Sequence, residues 1–531
     1  MKNYPLYQHT PVDSIKELLT FCEKQYGELT AFAFQEKKQE IRIDFRTFRQ
    51  EVDILGSYLY RAGFARCHIA VLGENSYWWL LTHFAVTCGA GVIVPIDKDL
   101  PVEEAAVLLT DSECSLLVYS DTYADTAQAL EGKLPHLTYL NMNSLSSIVN
   151  SGKGETASCQ YADANPDRDT LASIVYTSGT TGRSKGVMLT HGNLMSDLYA
   201  ASCNAMISGT SILLLPLHHT FGLVAGVYSV MYYGCPLYIN RSLKRVVADL
   251  QTAKPQNTFV VPLIVETLHK NIWLTAKKRG KDQLLRKLIA VSNALRKCGI
   301  DLRRVMFKSV LDAFGGNLQV IICGGAPLKP ELVRSFDALG ITVLNGYGIT
   351  ECAPIVAVNR NENNIVGSVG LPLCCNEVKL SPSGEILVRG SNVMAGYYKN
   401  DAENAKVFTG GWFHTGDLGE FDKHGALYIT GRIKNLIILS NGENIPAELI
   451  EDYLYQIPYV KEAVAFEEND QVATELFLDP EVPDGPDRIQ VDLRKLNEGL
   501  PITHNIARIH LRDTEFPKTT TKKIKRNARS N

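Results

Sequence analysis

The chain predicts an α/β fold on parallel-rich sheets, and three features carry that prediction. Ile69-Ala-Val-Leu72, the apolar run Trp78–Val86 and Gly91-Val-Ile-Val-Pro-Ile96 alternate strand, helix, strand at the spacing of a βαβ unit. Two later apolar runs, Leu318–Cys323 and Ile341–Leu344, each end in a glycine-rich polar loop. Strands of an open parallel sheet present ligand loops in that way at their carboxyl ends. At 531 residues the chain exceeds what one hydrophobic core supports, so two or more domains are expected.

The elements follow in order. Residues 13–63 read as helical stretches around one polar connector, with Phe48, Val52, Leu55 and Leu59 on one face. Leu116–Tyr119 continues the strand pattern. Asn193 is placed to cap a helix carrying Leu194, Leu198 and Ala201. Ile212–Leu217 is a strand running into His218-His219-Thr-Phe221-Gly222, a shaped loop after Pro216. Leu223–Tyr233 is apolar with small residues Ala225 and Gly226, which suits either a packed core helix or the wall of an alkyl tunnel. Residues 265–310 are helix-rich and basic, either a solvated face or a surface for an acidic carrier protein or membrane lipid. Glu385–Gly390 and Met394-Ala-Gly-Tyr-Tyr398 read as strand then turn.

Composition excludes some classes. The chain is 45% hydrophobic and 21% charged with a net charge of −3, which gives no reason to expect nucleic acid. It has no run of 18 apolar residues and no signal peptide, so a cytoplasmic protein without a transmembrane segment is expected. Twelve Cys are scattered without C-x-x-C spacing, as reduced thiols would be.

The most informative stretch is Ile174-Val-Tyr-Thr-Ser-Gly-Thr-Thr-Gly-Arg-Ser-Lys-Gly-Val187. A short strand passes into a loop with the parts of an anion cradle. Gly179, Gly182 and Gly186 let backbone N–H groups converge. Thr177, Ser178, Thr180 and Thr181 add hydroxyls, and Lys185 adds a point charge. A P-loop is excluded, because the fifth residue after Gly179 is Ser184 and Lys185 is followed by Gly186.

Tyr176-Thr-Ser-Gly-Thr-Thr-Gly-x-x-Lys-Gly-Val187 resembles the phosphate-binding signature of the AMP-forming acyl-CoA synthetases and their adenylating relatives. The resemblance extends from about residue 13 to 526 in ordered blocks. Ile69–Ser76, Gly346-Tyr-Gly-Ile-Thr-Glu-Cys352 and Ser440-Asn-Gly-Glu-Asn444 look most like bacterial long-chain fatty acid–CoA ligases. The resemblance implies an N-terminal ATP- and acyl-binding domain, 1–431, a hinge at 432–434 with Lys434 as pivot, and a small mobile α+β lid domain, 435–531. It also implies ATP, Mg²⁺ and CoA as cofactors.

By the same resemblance, Thr177–Gly182 and Lys185 would bind the ATP phosphates. Gly325, Ala326, Pro327, Gly346, Tyr347 and Gly348 would flank the adenine, with Tyr347 stacking and Asn345 at its polar edge. Thr350 would contact the α-phosphate, and Thr180 and Glu351 would hold Mg²⁺ as hard oxygen ligands. Asp417 would accept the ribose hydroxyls, with Arg432 beside it. His219, Phe221, Ala225, Gly226 and Gly324 would form the acyl pocket. Leu217–Val224 holds no Asp to pair with an α-ammonium, which disfavours an amino-acid substrate. Ser440, Asn441 and Gly442 would serve the thiol step. In Phe516-Pro-Lys-Thr-Thr-Thr-Lys-Lys523-Ile, Lys523 falls on the catalytic lysine, but Lys522 replaces the family's Gly, so either lysine can enter the site.

The expected reaction is ATP-dependent activation of a medium- or long-chain fatty acid to an acyl-adenylate, then transfer to CoA. Two further enzyme readings remain: loading of an acyl carrier protein in trans, and an aryl or short-chain acid–CoA ligase. A nucleotide-binding pseudoenzyme is the non-enzyme reading; the presence of Lys523, Glu351 and Asp417 argues against it.

Overall fold

The computed structural model describes residues 5–36, 39–154, 158–177, 184–240, 242–440, 443–518 and 524–526. The chain divides into two compact units, one of residues 1–377 with 389–411 and one of 378–388 with 412–531. The expected hinge, Arg432–Lys434, thus lies inside the second unit as packing draws it.

The first unit contains two parallel-rich sheets. In a nine-stranded sheet the six central strands are all parallel. Their order across the sheet is Thr342–Gly348, Val320–Cys323, Asn257–Val260, Ser211–Leu213, Leu237–Ile239 and Thr30–Glu36. A seven-stranded sheet has a parallel core of Leu171–Thr177, Val92–Ile96, His68–Leu72, Leu116–Tyr119 and Thr138–Asn141. Parallel strands are covered on both faces, which is why Val92–Ile96 is buried at every position. Leu171–Thr177 is closed on its other side by Lys185–Thr190, antiparallel.

Helix Tyr77–Cys88 is buried almost all round, so its apolar run shows no polar face. Ser76 caps it, accepting from Trp79 N–H at 3.2 Å. Helix His191–Asn204 is capped by Thr190 rather than by the expected Asn193. Asn193 sits at the third helical position, and its side chain returns a bond to the Thr190 N–H, closing a reciprocal pair.

One expectation fails near the start. Between helices Ile15–Tyr26 and Phe45–Arg61 the polar connector is a β-hairpin, Thr30–Glu36 and Gln39–Asp44. Thr30–Glu36 pairs with Leu237–Ile239, more than two hundred residues away, and that edge supplies the strand's partner. Local periodicity does not carry such pairing.

The second unit holds antiparallel pairs among residues 385–388 of strand Glu385–Gly390, Trp412–Phe421 and Leu427–Arg432. It continues with a hairpin, Leu436–Ile438 with Asn444–Pro446. A three-stranded sheet, Val460–Glu468, Gln471–Leu478 and Ile506–Arg512, packs with helices Ala447–Leu454 and Gly485–Glu498 around its own apolar core.

Candidate active site

Strands Val320–Cys323 and Thr342–Gly348 are parallel neighbours, so their carboxyl ends deliver Gly324–Leu328 and Ile349–Pro354 to one edge. Two glycines are dictated by that geometry. Gly325 has φ +84°, and a Cβ on Gly348 would lie 2.0 Å from the Pro354 carbonyl oxygen. Gly325, Ala326 and Pro327 are exposed, whereas Gly346, Tyr347, Gly348 and Thr350 are half-buried. Asn345 donates to the Ser368 carbonyl at 3.2 Å, and its Oδ1 is buried with no partner among the described residues. A buried acceptor without a donor is costly, and a purine amino group is a donor that would satisfy it.

Glu351 sits in a one-turn helix, Thr350–Cys352. Its carboxylate accepts from the Tyr397 hydroxyl at 2.9 Å, and its carbonyl accepts from Met394 N–H at 2.8 Å. The Lys185 ammonium stands 5.1 Å from the Tyr397 ring centroid and pairs with Glu403. That bond holds the Glu403 carboxyl below the usual carboxylate range. Tyr397 thus joins the lysine of the phosphate-type loop to the acid of the Thr-Glu turn. Thr177 pairs with Lys185 across the loop's stem. Ser178, Gly179, Thr180, Thr181 and Gly182 lie outside the described residues.

Two buried residues hold the turn bearing Thr350 and Glu351. Asp197 accepts from Ile355 N–H at 3.1 Å and from Asn392 Nδ2 at 3.0 Å. Asn392 also donates to the carbonyls of Cys352 and Ile355, each at 2.9 Å. Burial raises the Asp197 carboxyl well above its ordinary range. The sign follows. Above pH about 4 the unfolded chain releases this proton while the folded chain keeps it, so stability falls as pH rises towards the folded pKa. Asp197→Asn removes the titration. Its stability relative to wild type should therefore rise by about 1.4 kcal/mol per pH unit above pH 4, measured by denaturant unfolding. A pH-independent difference would mean that Asp197 is ionised in the fold.

The His-His loop follows strand Ser211–Leu213. Asn75 clips it, donating to the Leu215 carbonyl at 2.8 Å and accepting from Leu217 N–H at 3.1 Å. His219 is half-buried, its ring 4.3 Å from that of His218. His218 stands 3.5 Å from Asp97, and burial lowers its pKa. The run Phe221–Tyr228 is a π-helix, a form found mostly as short insertions and frequently at functional sites. Phe221 approaches Gly324, whose added Cβ would meet its ring at 3.4 Å, and Gly346 at the same distance. Ala225 lines a small apolar recess of about 30 Å³ with Ser229, Phe259, Ile322, Ile355 and Val358. Gly226 instead faces Leu213.

In the second unit, Asp417 and Arg432 are cross-strand partners. They form an ion pair of 2.6 Å with Asp417 only 2% exposed. Lys434 is exposed on the next turn. Ser440 donates its N–H to Asp470 at 2.5 Å. Asn441, Gly442, Lys522 and Lys523 lie outside the described residues, but the segments flanking the lysines are docked. Phe516 is buried, its N–H bonds Glu462 at 2.7 Å, and Lys518 pairs with the same carboxylate at 2.5 Å. Arg526 makes two bonds to Glu451, at 2.5 and 2.6 Å.

Sequence reasoning missed Asn75, Asp197, Asn392, Glu403 and Arg526. Met394–Tyr398 was legible as a block, but the bond from Tyr397 to Glu351 was not.

These features define a two-unit α/β protein with a buried acceptor at Asn345, a link from Lys185 through Tyr397 to Glu351, and a small apolar recess. The family described as AMP-binding enzyme matches residues 20–398. The chain belongs to that family. A long-chain-fatty-acid–CoA ligase, FadD15 of Mycobacterium bovis, is 30% identical over 453 residues, covering 78% of this chain and 74% of that protein. A feruloyl-CoA synthase of an Amycolatopsis species is 29% identical, covering 74% of each chain. Among solved structures, the anthranilate CoA ligase AuaEII in complex with anthranoyl-AMP superposes with a TM-score of 0.79 at 20% identity, covering 99% of this chain and 97% of that one.

Proposed function

We propose that this protein converts a medium- or long-chain fatty acid to its CoA thioester through an acyl-adenylate. The observation that carries adenylation is Asn345 Oδ1, buried without a partner among the described residues on the strand that leads to Thr350 and Glu351. The acyl end is read at the π-helix, where Phe221 packs at Gly324 and Ala225 lines a small apolar recess. The 30% identity to a fatty-acid–CoA ligase supports the same substrate class.

In the first step a carboxylate oxygen attacks the α-phosphorus of ATP, and the bond to the bridging oxygen of pyrophosphate breaks. This chain supplies placement and charge rather than a covalent intermediate. Asn345 Oδ1 accepts from the adenine amino group. Thr177 to Gly182, Lys185 and Thr350 receive phosphate oxygens, and Lys523 bridges acid and phosphate. Asp417 and Arg432 take the ribose. Glu351 and Thr180 would hold Mg²⁺, which would supply positive charge against the leaving pyrophosphate. In the second step the CoA sulfur attacks the adenylate carbonyl carbon, the bond to AMP breaks and the thiol proton leaves to solvent. Domain rotation about Lys434, with 1–431 and 435–531 as the two bodies, exchanges Lys523 for the Ser440–Gly442 loop. The reaction is placed in the cytoplasm, where ATP, CoA and reduced thiols coexist.

The test is acid-dependent ATP–pyrophosphate exchange across a panel of acids, followed by AMP release with CoA. Exchange with C12–C18 acids and CoA-dependent turnover is the expected result. Exchange without CoA turnover moves the acceptor to an acyl carrier protein. Exchange only with aromatic acids moves the substrate towards that of the feruloyl-CoA synthase, and no exchange overturns the enzyme reading.

A further inference from the structure

Charge is distributed very unevenly along this chain. Between residues 263 and 305 stand eleven Lys and Arg against three Asp and Glu, a local charge of +8 in a protein whose total is −3. The same 43 residues hold seven of the 17 exposed large hydrophobic side chains among the described residues. Both kinds of residue fall on helices Pro262–Lys278 and Asp282–Lys297 and on the segment that follows.

The second helix shows how they coexist. Leu285 and Ser292 are buried and tie it to the first unit's core. Leu284, Leu288, Val291 and Leu295 form the adjoining stripe at helical spacing, and Leu284 and Val291 are 51% and 52% exposed. Leu274, Ile300 and Val305 continue the exposed apolar surface at 42%, 48% and 75%. Some cations are used within the protein. Arg286 stacks on Trp273 at 4.6 Å, and Arg296 and Arg303 pair with Asp337. Lys277, Lys278, Arg279 and Lys281 at the inter-helix turn, and Lys287 and Lys297 beyond it, are exposed and make no ion pair with a described residue. An exposed aliphatic stripe bordered by unpaired cations is the pattern of an interfacial helix. The apolar side chains enter the acyl boundary while the cations meet anionic headgroups.

We propose that this face docks the protein on an anionic lipid bilayer. Charge complementarity selects an acidic partner, and aliphatic side chains exposed along three successive segments select a lipid surface over a purely acidic protein. The acyl-CoA ligase reading supplies a reason for the contact, since fatty acids partition into bilayers; the surface itself stands on charge and exposure.

The test is co-sedimentation of the full chain with vesicles of phosphatidylcholine alone and of phosphatidylcholine with 30% phosphatidylglycerol, at about 0.1 M salt. Binding to the anionic vesicles that weakens with added salt is expected. Lys277→Glu with Lys278→Glu and Lys281→Glu should lower the partition coefficient at least about tenfold. Leu284→Asn with Val291→Asn should lower it as well, and each variant should keep its melting temperature and its ATP–pyrophosphate exchange with a water-soluble acid. Equal binding to both vesicle types, no binding at low salt, or capture of an acyl carrier protein without vesicle binding would each overturn the proposal. Vesicle binding by a chain that activates no acid would sink the enzymatic reading and leave the docking surface standing.

Discussion

Lys523→Ala is expected to lower acid-dependent ATP–pyrophosphate exchange by about 10²–10³-fold while leaving thioester formation from synthetic acyl-adenylate within about threefold of wild type. The asymmetry follows from the chemistry. The adenylation transition state gathers negative charge on the α-phosphate and the attacking carboxylate, and a single ammonium between them stabilises what neither reactant carries alone. Thiol attack on the finished anhydride develops charge elsewhere. Lys522→Ala sets the register. The described residues on either side are held, Phe516 and Lys518 at Glu462 and Arg526 at Glu451. If Lys522→Ala causes the loss and Lys523→Ala does not, the lysine that replaces the family's glycine has taken over the role.

Glu351→Gln should cost a comparable amount, about 10²–10³-fold in exchange, and should raise the Mg²⁺ concentration needed for half-maximal rate. The substitution keeps the shape and an oxygen that can accept from the Tyr397 hydroxyl, now 2.9 Å away. The melting temperature should therefore stay within a few degrees of wild type, and the loss belongs to charge rather than to packing. A loss below threefold with an unchanged Mg²⁺ dependence would mean that the half-buried acid only orders Tyr397 and, through it, Lys185.

Much of this protein was legible residue by residue. Apolar runs bounded by glycine marked the strands at 69–72, 92–96 and 320–323 and the start of the one at 342–348, because burial on both faces leaves an uninterrupted hydrophobic signature. The loop at Gly324–Pro327 was legible from its glycines, whereas Asn345–Gly348, expected as loop, continues the strand, since Gly346–Gly348 pair with Ile355–Val358 across the fold and Gly348 leaves no room for a Cβ against Pro354. The hairpin at 30–44 was not legible, since its edge pairing with Leu237–Ile239 is made across the fold.

Tertiary structure alone decided how the site is held. Asn392 reaches Asp197 across 195 residues, Asn75 reaches Leu215 across 140, and Arg526 reaches Glu451 across 75. In sequence each is an unremarkable polar residue in a loop or helix, with no spacing that names its partner. What distinguishes them is desolvation. A polar group taken out of water must find a specific partner, and which partner is within 3 Å is a property of the packed chain. The basic helices divide the same way. Their charge is plain in the sequence, but only the fold shows that Leu285 and Ser292 turn inward, leaving Leu284 and Val291 on the surface beside the lysines.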